Sequence, residues 1–222
     1  MAPGAHGQTP RISGVIYDLD GTLVDSRDDL ADSVNAMLAT LGLPQRDPGV
    51  IYGFIGEGAE RLIRRSLGPA HEERYAEAAP LWQTEYGKRL LARTRLYPGV
   101  ADLLRIPPVA RAVLTNKPGG FARAILRGLG VESAFRTVVG GDEAPRKPAP
   151  DGLLRICASL GIGAERVLLV GDSVVDLATG RAAGAPVCAV AWGLGERAAL
   201  TSADYLCESP SQLGELLARL GT

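Results

Sequence analysis

Asp18 and Asp20 stand two residues apart in the segment Asp18-Leu19-Asp20-Gly21-Thr22-Leu23-Val24-Asp25-Ser26. They follow the apolar run Ile12–Tyr17, which reads as a buried strand. Gly21 lets the chain turn just beyond them. Two carboxylates at the end of a buried strand repel each other and lose hydration, so they call for a cation or a proton. That is the chemistry of a metal-assisted carboxylate site. Taken alone, the segment reads equally well as a strand end followed by a turn.

Three further segments change the balance. Leu114-Thr115-Asn116-Lys117 closes a second apolar run, and the Thr115 hydroxyl with nearby backbone N–H groups could face an anion. Arg146-Lys147-Pro148-Ala149-Pro150-Asp151 puts Lys147 on a proline-stiffened loop, where it could neutralise a phosphate and a neighbouring carboxylate. Gly171-Asp172-Ser173-Val174-Val175-Asp176 supplies a second acidic pair at the start of a helical pattern. Each has a plain structural explanation: a Thr/Asn turn, a solvated lysine, a capped helix. Together they put an acid pair, a hydroxyl, a lysine and a second acid pair at separate predicted strand ends, and in a parallel sheet such ends share one edge.

The elements that must position these groups follow from the apolar pattern. Strands are expected at Ile12–Tyr17, Ala110–Leu114, Thr137–Val139, Val167–Val170 and Val187–Ala191, with a short sixth at Tyr205–Cys207. Helical patterns lie between most of them, at Gly119–Leu129, Pro150–Leu160 and Val174–Ala183, and a last amphipathic helix covers Ser211–Leu220. This alternation predicts an α/β fold, a doubly wound parallel sheet with a Rossmann-like core. Residues 27 to 96 break the rhythm with helical spacing and no convincing strand. They read as a helical insert after the first strand, with a possible helix break at Pro80. Residues 11–26 and 97–222 then form the core, and the insert would sit over the edge where open α/β sheets bind ligands.

Composition narrows the classes. The chain has 222 residues, a net charge of -1 and 46% hydrophobic but only 5% aromatic residues. No basic excess speaks for nucleic acid or an anionic membrane, and no apolar run approaches the roughly 20 residues of a membrane span. Met1–Pro10 lacks a signal peptide's apolar core and is expected to be disordered. Cys157, Cys188 and Cys207 form no CxxC pair and read as buried thiols of a cytoplasmic protein. Only Lys88, Lys117 and Lys147 are lysines, beside 21 arginines. A chain that uses arginine for generic surface cations points to its retained lysines as needing a compact ammonium, with chance retention sufficient for Lys88. The histidines, His6 and His71, lie outside every motif, which excludes a Ser-His hydrolase. Gly56-Glu57-Gly58-Ala59-Glu60-Arg61 lacks the third glycine and the preceding strand of a dinucleotide fingerprint.

With these motifs in order, the chain resembles the haloacid dehalogenase superfamily, in its phosphatase branch with a helical cap. The resemblance covers nearly everything from Ile12 onward. Thr115-Asn116-Lys117-Pro118, Gly140-Gly141-Asp142 and Gly56-Glu57-Gly58 are similar to its phosphoglycolate phosphatase group. The resemblance implies a Mg²⁺-dependent hydrolysis of a small phosphate monoester, 2-phosphoglycolate foremost, through an aspartyl-phosphate. It implies Asp18 as nucleophile and Asp20 as general acid and base, with the Asp20 backbone carbonyl, Asp18 and Asp172 holding the metal. Asp176 is expected outside the metal's immediate ligands, orienting a water or Lys147. Thr115, the backbone around Asn116, and Lys147 would hold the phosphoryl group, and free N–H groups at Gly58 would receive a substrate carboxylate. Arg61, Arg64 and Arg65 read as a solvated helix face. Asp20 argues against a dehalogenase, since halide leaves without a proton. The alternative reading on the same core is a phosphosugar phosphatase or mutase, or a phosphate-binding regulatory protein. The expected partner is a small phosphorylated metabolite, the protein itself being a monomer or homodimer.

Overall fold

The computed structural model describes residues 11–106 and 110–221, so the expectation for Met1–Pro10 lies outside the described residues. In chain order the elements are β1 (Gly14–Tyr17), β2 (Val24–Asp25), α1 (Arg27–Thr40), α2 (Pro48–Tyr52), α3 (Ala59–Leu67), α4 (Tyr75–Arg89), β3 (Arg95–Leu96), α5 (Val100–Leu103) and β4 (Ala110–Leu114). They continue with α6 (Gly119–Gly128), β5 (Thr137–Val139), α7 (Asp151–Leu160), β6 (Val167–Gly171), α8 (Val174–Ala183), β7 (Val187–Val190), β8 (Tyr205–Cys207) and α9 (Pro210–Arg219).

Six strands form one parallel sheet in the order β5-β4-β1-β6-β7-β8. The chain leaves β1 towards β4 and β5, then returns to β6 on the other side of β1. The carboxyl end of β1 is therefore the switch point at which an open α/β sheet presents a crevice. Successive side chains along a strand alternate between faces. Val15 and Tyr17 of β1 and Leu168 and Val170 of β6 join one hydrophobic cluster, with α6 and α9. Ile16, Val167 and Leu169 join a second, with α7 and α8. Burial on both faces is why these strands are apolar without interruption.

All four helices α1 to α4 come from the segment between β2 and β3. Leu30, Val34, Met37 and Leu38 on α1 and Ala78, Trp82 and Tyr86 on α4 are buried at helical spacing. Two details differ from the sequence expectation. The segment is entered and left through an antiparallel pair of two-residue strands, β2 and β3, too short to leave a periodic trace. Pro80 lies inside α4 without breaking it. The apolar face of α4 and its seat along α1 outweigh the backbone hydrogen bond that proline forfeits. Among the described residues no helix is long and apolar enough to cross a membrane, and the three cysteines are buried free thiols.

Candidate active site

The strand ends bring the four motifs together. Asp18 directly follows β1, Asp172 follows β6, Thr115 follows β4, and Lys147 is delivered by the loop ahead of α7. Asp18, Thr115, Lys147, Asp172 and Asp176 are all buried. Lys147 Nζ lies 2.6 Å from Asp176 Oδ1 and 2.9 Å from Asp18 Oδ1. Asp18, Asp172 and Asp176 each present a carboxylate oxygen within 4.8 Å of the others.

Asp176 combines two tasks. It is the third residue of α8 and closes a capping box with Ser173, accepting from the Ser173 N–H at 3.1 Å through Oδ2. Its other oxygen accepts from Lys147. Ordinary helix capping thus fixes the carboxylate that holds the lysine. Asp172 accepts from Thr22 Oγ1 at 3.2 Å and from the backbone N–H groups of Leu194 and Gly195 at 2.8 and 3.1 Å. Gly21, with φ of 83°, sits so close to Asp172 that a Cβ would collide with its carboxylate, so this turn requires glycine.

Charge at this edge does not balance. With all three ionised, the buried carboxylates would share the single Lys147 ammonium and leave two negative charges uncompensated. Burial, reinforced by Asp176 and Asp172, pushes the Asp18 carboxyl up to about 8 despite Lys147. Burial and then Asp176 push Asp172 up to about 6 against its two backbone donors. Burial also opposes the charge on Lys147, but Asp176 and Asp18 outweigh it and hold that ammonium above its ordinary value. An all-oxygen donor set with two surplus negative charges fits a hard divalent cation. Asp18 and Asp172 carry that surplus, since Asp176 is already engaged by Lys147 and Ser173.

Thr115 accepts from the Lys117 N–H at 3.2 Å. Asn116 Nδ2 donates to the carbonyl of Lys147 at 3.0 Å and to that of Gly56 at 3.1 Å, joining two sheet-edge loops to the helical segment. The turn is braced from below: Gly119 N–H donates to Asp142 Oδ1 at 2.7 Å and Gly141 N–H to the Lys117 carbonyl at 2.9 Å. Asp20 lies further out, accepting from the Ser26 hydroxyl. A cavity opens beside Asp18 and Asp20. Its sheet-side wall is Thr115, Asn116 and Lys117, and its other wall is Leu30, Ile55, Gly56, Gly58, Ala59, Leu62 and Trp82. Gly58 caps α3 and meets the cavity through it. Arg61 and Arg65 pair with Glu57 and Arg64 with Glu60 and Glu72, all outside the cavity.

Sequence reasoning missed the parts played by six residues. Lys117 is buried, with its Nζ 3.1 Å from Asp20 Oδ1. Its signal was the scarcity of lysine, which marked the residue without saying what it meets. Leu194 and Gly195, which hold Asp172, had a signal in two glycines flanking a leucine just beyond β7. Ser26 closes the Asp18–Ser26 motif but was given no role, and the aromatic pair Trp82 and Tyr86 had no signal beyond helical spacing.

Comparison with known proteins agrees with this geometry. Residues 15–190 match the family model of haloacid dehalogenase-like hydrolases. The chain is 39% identical to a phosphoglycolate phosphatase of Chromobacterium violaceum, over 93% of this chain and 96% of that one. It is also 39% identical to the plasmid phosphoglycolate phosphatase of Cupriavidus necator, over 92% and 93%. The crystal structure of a predicted phosphoglycolate phosphatase from Haemophilus somnus superposes with a TM-score of 0.87 at 29% identity, covering 94% of this chain and 99% of that one. With the family match spanning most of the sheet and its motifs, the chain belongs to the haloacid dehalogenase-like hydrolases.

Proposed function

We propose that the protein is a cytoplasmic, Mg²⁺-dependent phosphatase that hydrolyses 2-phosphoglycolate to glycolate and phosphate through an aspartyl-phosphate on Asp18. The observation that carries the reading is the buried group of three carboxylates around one ammonium at the switch point, opening onto a small cavity beside Asp20. The names carried by the Chromobacterium and Cupriavidus relatives support the substrate.

Asp18 attacks phosphorus in line with the ester bond. Its oxygen forms the new P–O bond as the bond to the leaving alkoxide breaks, and Asp20 delivers a proton to that alkoxide. Asp20 then takes a proton from water. The water oxygen attacks phosphorus, the bond to Asp18 breaks, and phosphate leaves with the carboxylate regenerated. Lys147, Thr115 and the backbone around Asn116 hold the phosphoryl oxygens throughout. Lys147 can do so because Asp176 fixes it. Asp18, Asp172 and the Asp20 backbone carbonyl would hold Mg²⁺. When bound, the ion neutralises the surplus charge and the phosphoryl oxygens, keeping Asp18 an ionised nucleophile.

Residues 27–96 act as a cap that excludes water and shapes the leaving-group end. The β2–β3 ribbon is its stem. Asp29 of α1 accepts from the N–H groups of Arg93 and Thr94, which clamps the returning strand to the outgoing helix. Gly58 at the start of α3 brings free N–H groups to the cavity wall, near the leaving group.

The test is kcat/KM with Mg²⁺ across phosphoglycolate, sugar phosphates, nucleoside monophosphates and pyrophosphate, with Asp18→Asn as control. A strong preference for phosphoglycolate that disappears in the control is expected. Preference for a sugar phosphate, lost in the control, would keep the mechanism and overturn the substrate.

A further inference from the structure

The leaving-group end of the cavity holds a buried cation with a donor left over. Lys117 is the cation among the described residues lining this cavity, since the neighbouring arginines are engaged by glutamates outside it. A lysine ammonium has three N–H donors. One faces Asp20 Oδ1 at 3.1 Å and one the Tyr86 hydroxyl at 2.6 Å. The third has no acceptor among the described residues. Tyr86 also lies under the charge, its ring centroid 4.5 Å from Nζ. Trp82 stacks on Tyr86 at 5.1 Å and lines the same cavity, and its indole N–H is buried with no partner. Phe121 of α6 meets both rings edge-on. Burial opposes the charge on Lys117, but Asp20 and Tyr86 outweigh it and hold the ammonium above its ordinary value. Burial pushes the Tyr86 phenol up to about 12, so it remains neutral.

Buried donors without acceptors are costly, and a ligand that supplies the acceptor removes the cost. The acceptor belongs to the leaving group, because Lys117 adjoins Asp20, the carboxylate that serves the leaving oxygen. It must also be short of that oxygen by only an atom or two. A carboxylate on the carbon bearing the ester meets both conditions. Without a cation between them, that carboxylate and Asp20 would be two like charges buried together.

We propose, resting on the phosphatase reading above, that Lys117 is a specificity-determining residue. It holds the α-carboxylate of the leaving alcohol through its third N–H, and Tyr86 is the positioning residue that aims the ammonium. Selection for an acidic leaving group is thus built at the meeting of α4 with the turn after β4.

The experiment compares phosphoglycolate with its neutral isostere, phosphoglycolamide, as kcat/KM ratios in the full-length protein with Mg²⁺. Wild type is expected to prefer the acid by about 100-fold or more. Lys117→Met should cut turnover of phosphoglycolate far more than that of the amide, bringing the preference within a few-fold. Tyr86→Phe keeps the charge but releases it, and should reduce the preference about tenfold, mostly through KM. Should Lys117→Met fail to fold, Tyr86→Phe carries the same comparison. Equal loss on both esters, with the preference intact, would overturn the proposal and leave Lys117 as a group that only orients Asp20. A wild type that hydrolyses both esters equally would overturn carboxylate recognition while leaving the phosphatase standing. A chain that hydrolyses no phosphate ester would overturn the phosphatase reading itself, and this proposal with it.

Discussion

The two ends of the cavity are built on different plans. At the sheet edge the charged groups are held by polar neighbours: Asp176 by Ser173, Asp172 by the loop N–H groups of Leu194 and Gly195, Lys147 by Asp176 and Asp18. At the other end an apolar wall from α1, α3 and α4 faces Lys117, whose ammonium has a donor left unanswered. The first end is short of positive charge and the second short of acceptors. On the proposed function, a phosphate ester with a cation would supply the first deficit, and a carboxylate on its leaving group the second. Under the proposed function, reaction and selection are thereby separable: the strand-end carboxylates and Lys147 set what is done, and Lys117 with the helical wall facing it sets to what.

That separation is open to attack from either side. The largest effect is expected from Asp18→Asn, which should lower kcat about 10⁴-fold or more on every ester while leaving the fold intact. Residual activity within tenfold of wild type would mean that the sheet edge does not supply the nucleophile. Asp172→Asn should weaken Mg²⁺ binding by about 100-fold, read by calorimetry on the metal-free protein, with little change in preference among esters. Unchanged Mg²⁺ affinity together with full activity would remove Asp172 from the metal set.

A pH prediction bears on the charge surplus itself. Asp18 and Asp172 are pushed up to about 8 and about 6, above their unfolded values of 3.8. Between pH 4 and pH 8 the folded protein therefore binds more protons than the unfolded chain at these positions. Stability from these groups is greatest at the acid side of that window and falls as pH rises through it. Mg²⁺ reverses the loss, so the rise in Tm on adding Mg²⁺ should be larger at pH 8 than at pH 5, by about 2–6 °C. Equal Mg²⁺ shifts at both pH values would show that the ion does not answer this surplus. The smallest effect belongs to the cap. Gly58 has φ of 93° and a Cβ there would lie 3.2 Å from the Asn116 carbonyl oxygen. Gly58→Val should raise KM for phosphoglycolate about fivefold with kcat nearly kept. An unchanged KM would detach this loop from substrate binding.

Much of the first end was legible in the sequence. Asp18, Thr115 and Asp172 each belong to a short motif at the close of an apolar run, Lys147 sits on the proline-stiffened loop ahead of the next helix, and a parallel sheet carries all such closes to one edge. Local pattern and global position coincide there, so reading one reads the other. The order of strands around β1 was not legible, but the site depends only on which ends the residues occupy.

The rest was decided by tertiary structure. Lys117 was noticeable for its rarity, yet its partners Asp20 and Tyr86 are set by how α4 lies against α6, through Trp82 and Tyr86 on Phe121. Helical spacing makes those aromatic residues core positions and says nothing of a cavity beside them. β2 and β3 are too short for any periodicity, and their pairing joins Val24 to Leu96 across the whole inserted segment. The clamp of Leu194 and Gly195 on Asp172 likewise joins two loops that have no local reason to meet. The sequence by itself determined the strand ends and the chemistry placed on them, because alternation and turn residues act over a few positions. Only the packed fold decided what faces that chemistry, because contacts between distant segments depend on the burial of whole helix faces.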